Sequence, residues 1–191
     1  MIAVVRIQDQ RCQMPASVAK RIEKLLIQLR DGFDGTTLSV NRILADSGLP
    51  PERFTQSLGP PESAREVPTL DPMIRKPLSP MLNARFEFCS RWRRFDENWL
   101  SVSQMSSVAQ NRMFRRHFAS KSEHWDNSAP ATISKNRLSV FGVSSHAEGD
   151  YTFIVWPDKP NVVEPAIWRY EGQSETRFAN LEKFLHWLVA S

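Results

Sequence analysis

Between Ser17 and Arg30 apolar residues recur at helical spacing (Val18, Ile22, Leu25, Leu26, Leu29), which predicts an amphipathic helix with Ser17 as its cap. Asp31-Gly32 is expected to end it, since glycine accepts the left-handed backbone common at helix ends. A shorter helix follows from about Val40 to Ser47, with Ser39 as cap and Gly48 as stop. Pro50-Pro51 then opens a third, through Phe54 to Leu58. Residues 2–8, IAVVRIQ, are β-branched and suit a short strand or an arm.

From Gly59 to Pro80 prolines recur every few residues, which forbids both a regular helix and a central strand. Val67, Leu70, Met73, Ile74 and Leu78 imply that part of this stretch is packed, because a free linker is less apolar. Phe88, Trp92, Phe95 and Trp99 then fall on one helical stripe and predict a helix over 82–100, with Arg85, Arg91, Arg93 and Arg94 as its solvated face. A further helix is expected from about Ser106 to Phe118, with Arg112, Arg115 and Arg116 at its end. There they would complement the negative end of its dipole. Residues 119–136 read as a loop.

The last 54 residues, Leu138 to Ser191, carry a period of two. RLSVFGV puts Leu138, Val140 and Gly142 on one side and Ser139 and Phe141 on the other. HAEGD is a turn. YTFIVW is a strand that must be covered on both faces. After the PDKPN turn, VVEPAIWRY leads into the next strand, with Pro165 at an edge or bulge. Beyond EGQSETRF, Asn180 caps a closing helix whose Leu181, Phe184, Leu185 and Leu188 form one apolar face. Short turns between consecutive strands imply antiparallel pairing, and the helix must lie across the sheet.

The fold class is therefore α+β: an antiparallel or mixed sheet in the C-terminal half covered by helices, with a helical N-terminal part. Two organisations fit. One is a helical segment at 1–58, a Pro-rich connector at 59–80 and a core at 81–191; the other is one continuous domain over 16–191. Eight of the 13 prolines lie between Pro50 and Pro80, which is what marks the connector.

Charge refines this reading. The 191-residue chain carries a formal net charge of +4, unevenly spread. Residues 81–125 hold eight basic and four acidic side chains, and 126–191 hold six and eight. A basic middle suits an acidic partner or a polyanion. Two cysteines, Cys12 and Cys89, form no disulfide framework and no metal spacing, which fits a reducing compartment. No stretch supplies the roughly 18 apolar residues of a membrane helix, and the start of the chain lacks the charge pattern of a secretory signal, so a cytoplasmic location and no membrane partner are expected.

Catalytic signatures are missing: no G-x-S-x-G, no phosphate-binding P-loop, no G-x-G-x-x-G, no H-E-x-x-H. His117 and His124, with Glu123 and Asp126, are the one conceivable metal group, and too few ligands share a fixed geometry. His146, Glu148 and Asp150 alternate through a turn, a composition that also suits a plain polar turn. A non-enzymatic protein without cofactor or metal is the expectation. The candidate partner-binding residues are Arg112, Arg115, Arg116, His146, Glu148 and Asp150. The alternative is a DNA-associated regulator. VNRILADSGLPPERFTQSL has the helix-turn-helix spacing and would aim Glu52, Arg53, Thr55 and Gln56 at bases or phosphates. It offers only Arg42 and Arg53 as cations, so nucleic acid is the less favoured partner.

One resemblance emerges from the C-terminal pattern. Gly149-Asp150, the aromatic strand Tyr151 to Trp156, the pair Ile167-Trp168 and the helix Asn180 to Leu188 follow one another as in the C-terminal half of SMI1/KNR4 domains, the SUKH superfamily, which the chain resembles over about 54 residues. Leu49 to Gly59, LPPERFTQSLG, is a faint echo of that family's N-terminal pattern without its Asn-Gly-Gly. The resemblance implies an α+β domain with no enzymatic role. Many of its relatives are immunity proteins that bind and neutralise a toxin domain, and others are interaction modules in regulation, so the partner it implies is a protein such as a toxin domain; the basic charge of residues 81–125 would suit one with an acidic face.

Overall fold

The first helix does not stop at Gly32. In the computed structural model, which describes residues 16–46, 56–94, 97–144, 149–159, 163–172 and 174–190, α1 runs unbroken from Ala16 to Asp46. Gly32 is not among the described glycines with positive φ, so it never adopts the left-handed conformation that would end a helix. Keeping glycine inside a helix costs about 1 kcal/mol relative to alanine. Burial of Ile22, Leu25, Leu26 and Leu29 outweighs that cost. The separate helix expected from Val40 is thus the end of α1, while 47–55, including Gly48, Glu52, Arg53 and Thr55, lies outside the described residues, as does 2–8.

The Pro-rich stretch is packed. β1 (Ser57–Leu58) lies just before it, and within it β2 (Glu66–Pro68) and β3 (Arg75–Pro77) pair as an antiparallel hairpin. Val67 is fully buried, and the Leu70 amide donates to the Leu138 carbonyl at 2.8 Å, fastening the hairpin to the body.

The helix expected over 82–100 is much shorter. Ser79 caps α2 (Pro80–Phe88), with Pro80 in its first turn, where proline loses no hydrogen bond. The chain then turns into β4 (Trp92–Arg93) and β5 (Glu97–Trp99). Trp92 and Trp99 are direct cross-strand partners, so the seven-residue spacing that mimicked two helical turns belongs to a hairpin. Both indoles are buried as the stripe required. Two of the arginines assigned to a solvated face are not there: Arg85 is fully buried and Arg94 nearly so, while Arg91 and Arg93 are exposed. Arg85 donates through Nη1 to the Cys89 and Ser90 carbonyls at 3.0 and 2.8 Å and through Nη2 to Leu100 O at 3.4 Å. It lies over Phe86 and Phe141, and burial lowers it to about 10, so it stays charged at neutral pH.

Asn111 divides the next helical region in two. α3 (Val102–Gln110) starts with a Ser101–Gln104 capping box and ends at Asn111, whose side chain accepts from Met113 N and Phe114 N to start α4 (Arg112–His124). The expected loop at 119–136 is instead the rest of α4, a short α5 (Ala129–Thr132) and a 3₁₀ turn at Lys135–Arg137.

β6 (Leu138–Ser144), β7 (Tyr151–Val155), β8 (Ala166–Glu171) and β9 (Ser174–Phe178) form an antiparallel meander closed by α6 (Leu181–Ala190). β9 falls within EGQSETRF, a polar stretch without strand alternation; Gly172, at φ +59°, makes the turn before it. The seven-stranded sheet is ordered β1-β4-β5-β6-β7-β8-β9. A bulge at Phe141 breaks the simple alternation of β6: Val140 pairs with Phe153, but Gly142 already pairs with Thr152.

Helices cover both faces, giving an α+β fold with an antiparallel sheet. On one face Trp99, Phe141 and Phe178 meet Phe184 of α6, and α1 packs against α2 and α6. On the other, Phe114 and Phe118 of α4 meet Tyr151 and Phe153, and Trp125 meets Tyr170. Asn180 caps α6 as expected, its Oδ1 accepting from Lys183 N. No helix among the described residues is long and apolar enough to cross a membrane.

Candidate functional site

α4 is the element around which the candidate residues gather. Phe114 and Phe118, four apart, point down onto the sheet, with the Phe114 ring 4.9 Å from Tyr151 in an edge-on contact. The opposite side of the helix is thereby turned to solvent. Arg112, Arg115 and Arg116 lie on it, all exposed.

Their position reverses the expectation for them. They sit in the first two turns of α4, not at its end, and no acidic residue shares the first turn. The N-terminus of a helix is its positive end, where each added cation is unfavourable by a few tenths of a kcal/mol up to about 1 kcal/mol. Arg112 also stands three and four residues from Arg115 and Arg116, the spacing at which like charges repel on a helix. Arg115 is braced by donating from Nε to Ala109 O at 3.2 Å. Self-stabilisation of the helix does not account for this cluster.

Among the described residues, two clefts flank α4. The larger, about 540 Å³, lies between α4, the β2–β3 turn and the segment around Pro130 and Lys135. Phe114 and Phe118 line it with hydrocarbon; Asp71, Arg115, Glu123 and Lys135 carry its charge. Thr69 holds the turn opposite α4 in shape, its hydroxyl bonding with the Asp71 and Ile74 carbonyls at 2.9 Å each. That turn presents Met73, 85% exposed, and Ile74 to solvent.

The smaller cleft, about 220 Å³, lies on the other flank of α4 against the β6–β7 turn and includes Met113, His117, Asp150 and Tyr151. His117 Nδ1 stands 3.2 Å from the Tyr151 hydroxyl, and its ring packs 3.7 Å from where a side chain on Gly149 would begin. Gly149 has φ +90°, a backbone glycine adopts without strain. Asp150 accepts from Gly172 N at 3.0 Å, joining the β6–β7 turn to the β8–β9 turn. Nearby, the Lys121 ammonium lies over Tyr170 and Trp125; burial pulls it below its ordinary value, and Asp150 and Glu175 oppose the shift.

Of the six residues nominated from sequence, the three arginines and Asp150 are thus gathered around one helix, on its solvent face and at one flank. His146 and Glu148 lie outside the described residues. His117 and His124 face different partners, Tyr151 and the Ser120 carbonyl, and no group of three or more potential metal ligands occurs among the described residues. Sequence reasoning missed Asp71, Pro72 and Lys135. The Asp-Pro pair between two short apolar runs is a turn signal that marks the first two; nothing local marks Lys135.

Gln56, the one described member of the DNA-reading set, is half-buried, donating to Arg30 O at 3.0 Å and accepting from Trp92 Nε1 at 2.9 Å.

Comparison with protein-family models, with curated proteins and with solved structures finds no match to this chain. An open cleft lined by both hydrocarbon and charged groups is suited to recognition, because apolar area supplies affinity and the polar groups set orientation.

Proposed function

We propose that this chain is a non-enzymatic protein-binding module of SMI1/KNR4 type, with an immunity protein that neutralises a toxin as its most specific form. The observation that carries the reading is the larger cleft beside α4. Its mixed hydrocarbon and charged lining, with the exposed Met73 and Ile74 on the adjoining turn, resembles the combination of apolar and polar groups at a protein-recognition surface. The placement of the resembling residues supports it too: Gly149-Asp150 at a turn, Tyr151 to Val155 in a central strand, Ile167-Trp168 in the next strand, and Asn180 at the cap of α6.

The DNA-associated alternative draws less support. The first half of the 39–58 unit is the end of the unbroken α1, and Gln56 is engaged by Trp92.

The deciding experiment is affinity purification of the tagged chain from its native cells, followed by reconstitution of any captured protein from purified components. A complex of fixed stoichiometry is expected, and a toxin-like product of a neighbouring gene would specify the immunity role. Failure of every captured protein to reconstitute removes the reading.

A further inference from the structure

We infer that the partner is acidic and that it docks by placing one large apolar side chain into the cleft between the β2–β3 turn and α4. Its carboxylates then lie along Arg112, Arg115 and Arg116. This inference rests on the protein-binding reading and specifies the chemistry of the partner.

Three observations converge on it. Around the cleft and along the adjoining ridge of α4 stand four cations, Arg112, Arg115, Arg116 and Lys135, against two carboxylates, Asp71 and Glu123. By helical spacing Arg112 and Arg116 lie next to the cleft-lining Arg115 and Ala119, so the ridge and the cleft form one surface. Among the described residues no carboxylate lies within ion-pair distance of any of the three arginines.

The arginines also work against α4 itself, Arg112 through the helix dipole and all three through their mutual spacing. An arriving carboxylate relieves both penalties at once, and Arg presents the planar fork that carboxylates bind bidentately. A neutral or basic partner relieves neither. Leu70, Pro72, Ala109 and Ala119, with the edges of the otherwise buried Phe114 and Phe118 rings, give an entering side chain hydrocarbon to meet, and about 540 Å³ accommodates a Phe or Leu side chain. Met73, exposed next to the lining residue Pro72, adds an adaptable apolar side chain on the same turn.

The test uses the full chain, isotope-labelled for NMR, and three probe peptides. One has four Asp/Glu residues on each side of a central Phe, the second has Gly in place of the Phe, and the third has Lys in place of every acid. The first should shift resonances at 70–74 and 112–123, and losing the Phe should weaken binding by about fivefold or more. The Lys peptide should not bind. Ala119→Trp, which fills the cleft from an exposed position, should weaken the Phe peptide about tenfold, and the triple reversal Arg112→Glu, Arg115→Glu, Arg116→Glu should abolish binding. Lys20→Glu with Lys24→Glu on α1, exposed and remote in sequence, should leave affinity within about twofold. Retained spectral dispersion in each variant shows that it folds.

Shifts confined to another surface, or binding indifferent to both Ala119→Trp and the central Phe, would overturn the inference. So would a preference for a 20-base-pair duplex that the arginine reversal removes and Ala119→Trp leaves intact, since the ridge would then serve phosphates. A homodimer dispersed by Ala119→Trp would make a second copy the occupant and overturn it as well. If a reconstituted partner binds the wild type and both variants equally, the cleft inference falls while the protein-binding reading stands. If no partner reconstitutes and no peptide binds, both fall.

Discussion

Trp92 and Trp99 meet edge to face across the β4–β5 ladder, their ring centroids 5.3 Å apart at an interplanar angle of 76°. Trp99 continues the contact to Phe141 and Phe184, so one indole links the hairpin, the central strand β6 and the closing helix α6. Trp99→Ala is expected to cost about 3–5 kcal/mol, because its neighbours belong to three elements that cannot collapse together into the space. Trp92→Ala should cost a similar amount. A double-mutant cycle by urea denaturation should return a coupling of about 0.5–1.5 kcal/mol for the ring pair itself. A coupling near zero would mean that the edge-on geometry contributes nothing beyond burial.

Residues 81–191 contain the whole β6–β9 meander and α6, yet they are not expected to fold alone. Ile22, Leu25, Leu26 and Leu29 of α1 and Val67 of the hairpin belong to the same buried cluster as Phe184 and Leu185. Leu26→Ala in the full chain should cost about 2–5 kcal/mol. A fragment beginning at Met81 should give a collapsed NMR spectrum with poor dispersion. A well-dispersed spectrum would show that α1 is an accessory.

Gly142 is needed because a neighbour occupies the space of its missing side chain. A Cβ there would collide with the buried carboxylate of Glu97, which accepts from Trp99 Nε1 at 3.2 Å. Gly142→Ala must therefore push that carboxylate off the indole. The expected loss is about 1–3 kcal/mol by chemical denaturation. In the Glu97→Ala background the same change should cost much less; equal costs in the two backgrounds would refute the clash.

Arg21 of α1 and Glu182 of α6 form an ion pair at 2.8 Å. The hydrogen bond from Arg21 holds the Glu182 carboxyl below its ordinary value, with burial opposing. A depressed carboxyl contributes stability above its unfolded pKa and loses it as pH falls through the folded one. The stability gap between wild type and Glu182→Gln should thus be open at pH 7 and close as pH drops below about 4. Both groups touch solvent, so the gap should be small and shrink in 1 M salt. A gap unchanged at pH 2 would assign the effect to something other than charge.

Three of the four C-terminal strands were legible because they are rich in β-branched and aromatic residues and their turns carry Gly-Asp and Pro-Asp, and Asn180 precedes a clean amphipathic stripe; β9, polar and without alternation, was not. The middle of the chain was ambiguous for a physical reason. Trp92 and Trp99 at a seven-residue interval satisfy a helix of two turns and a short hairpin equally, and only pairing with β6 selects the hairpin. Gly32 and Asn111 misled in opposite directions. Tertiary burial carried a helix through the glycine, whereas a side-chain cap broke one at the asparagine. The larger cleft was illegible because its walls come from 70–72, 109–123 and 130–135, segments that become neighbours only once both sheet and helix exist.

The Arg21–Glu182 pair also fixes an order of events during biosynthesis. Its partners lie 161 residues apart, so at 5–20 residues per second about 8–32 s separate the synthesis of one from the other. Through that interval α1 already carries its leucine stripe, with α2 as an early partner and the surface that α6 will cover still open to solvent. A nascent chain of this protein therefore exposes a sticky helix once α1 has emerged, and holdase chaperones should engage it then and release it when α6 has followed.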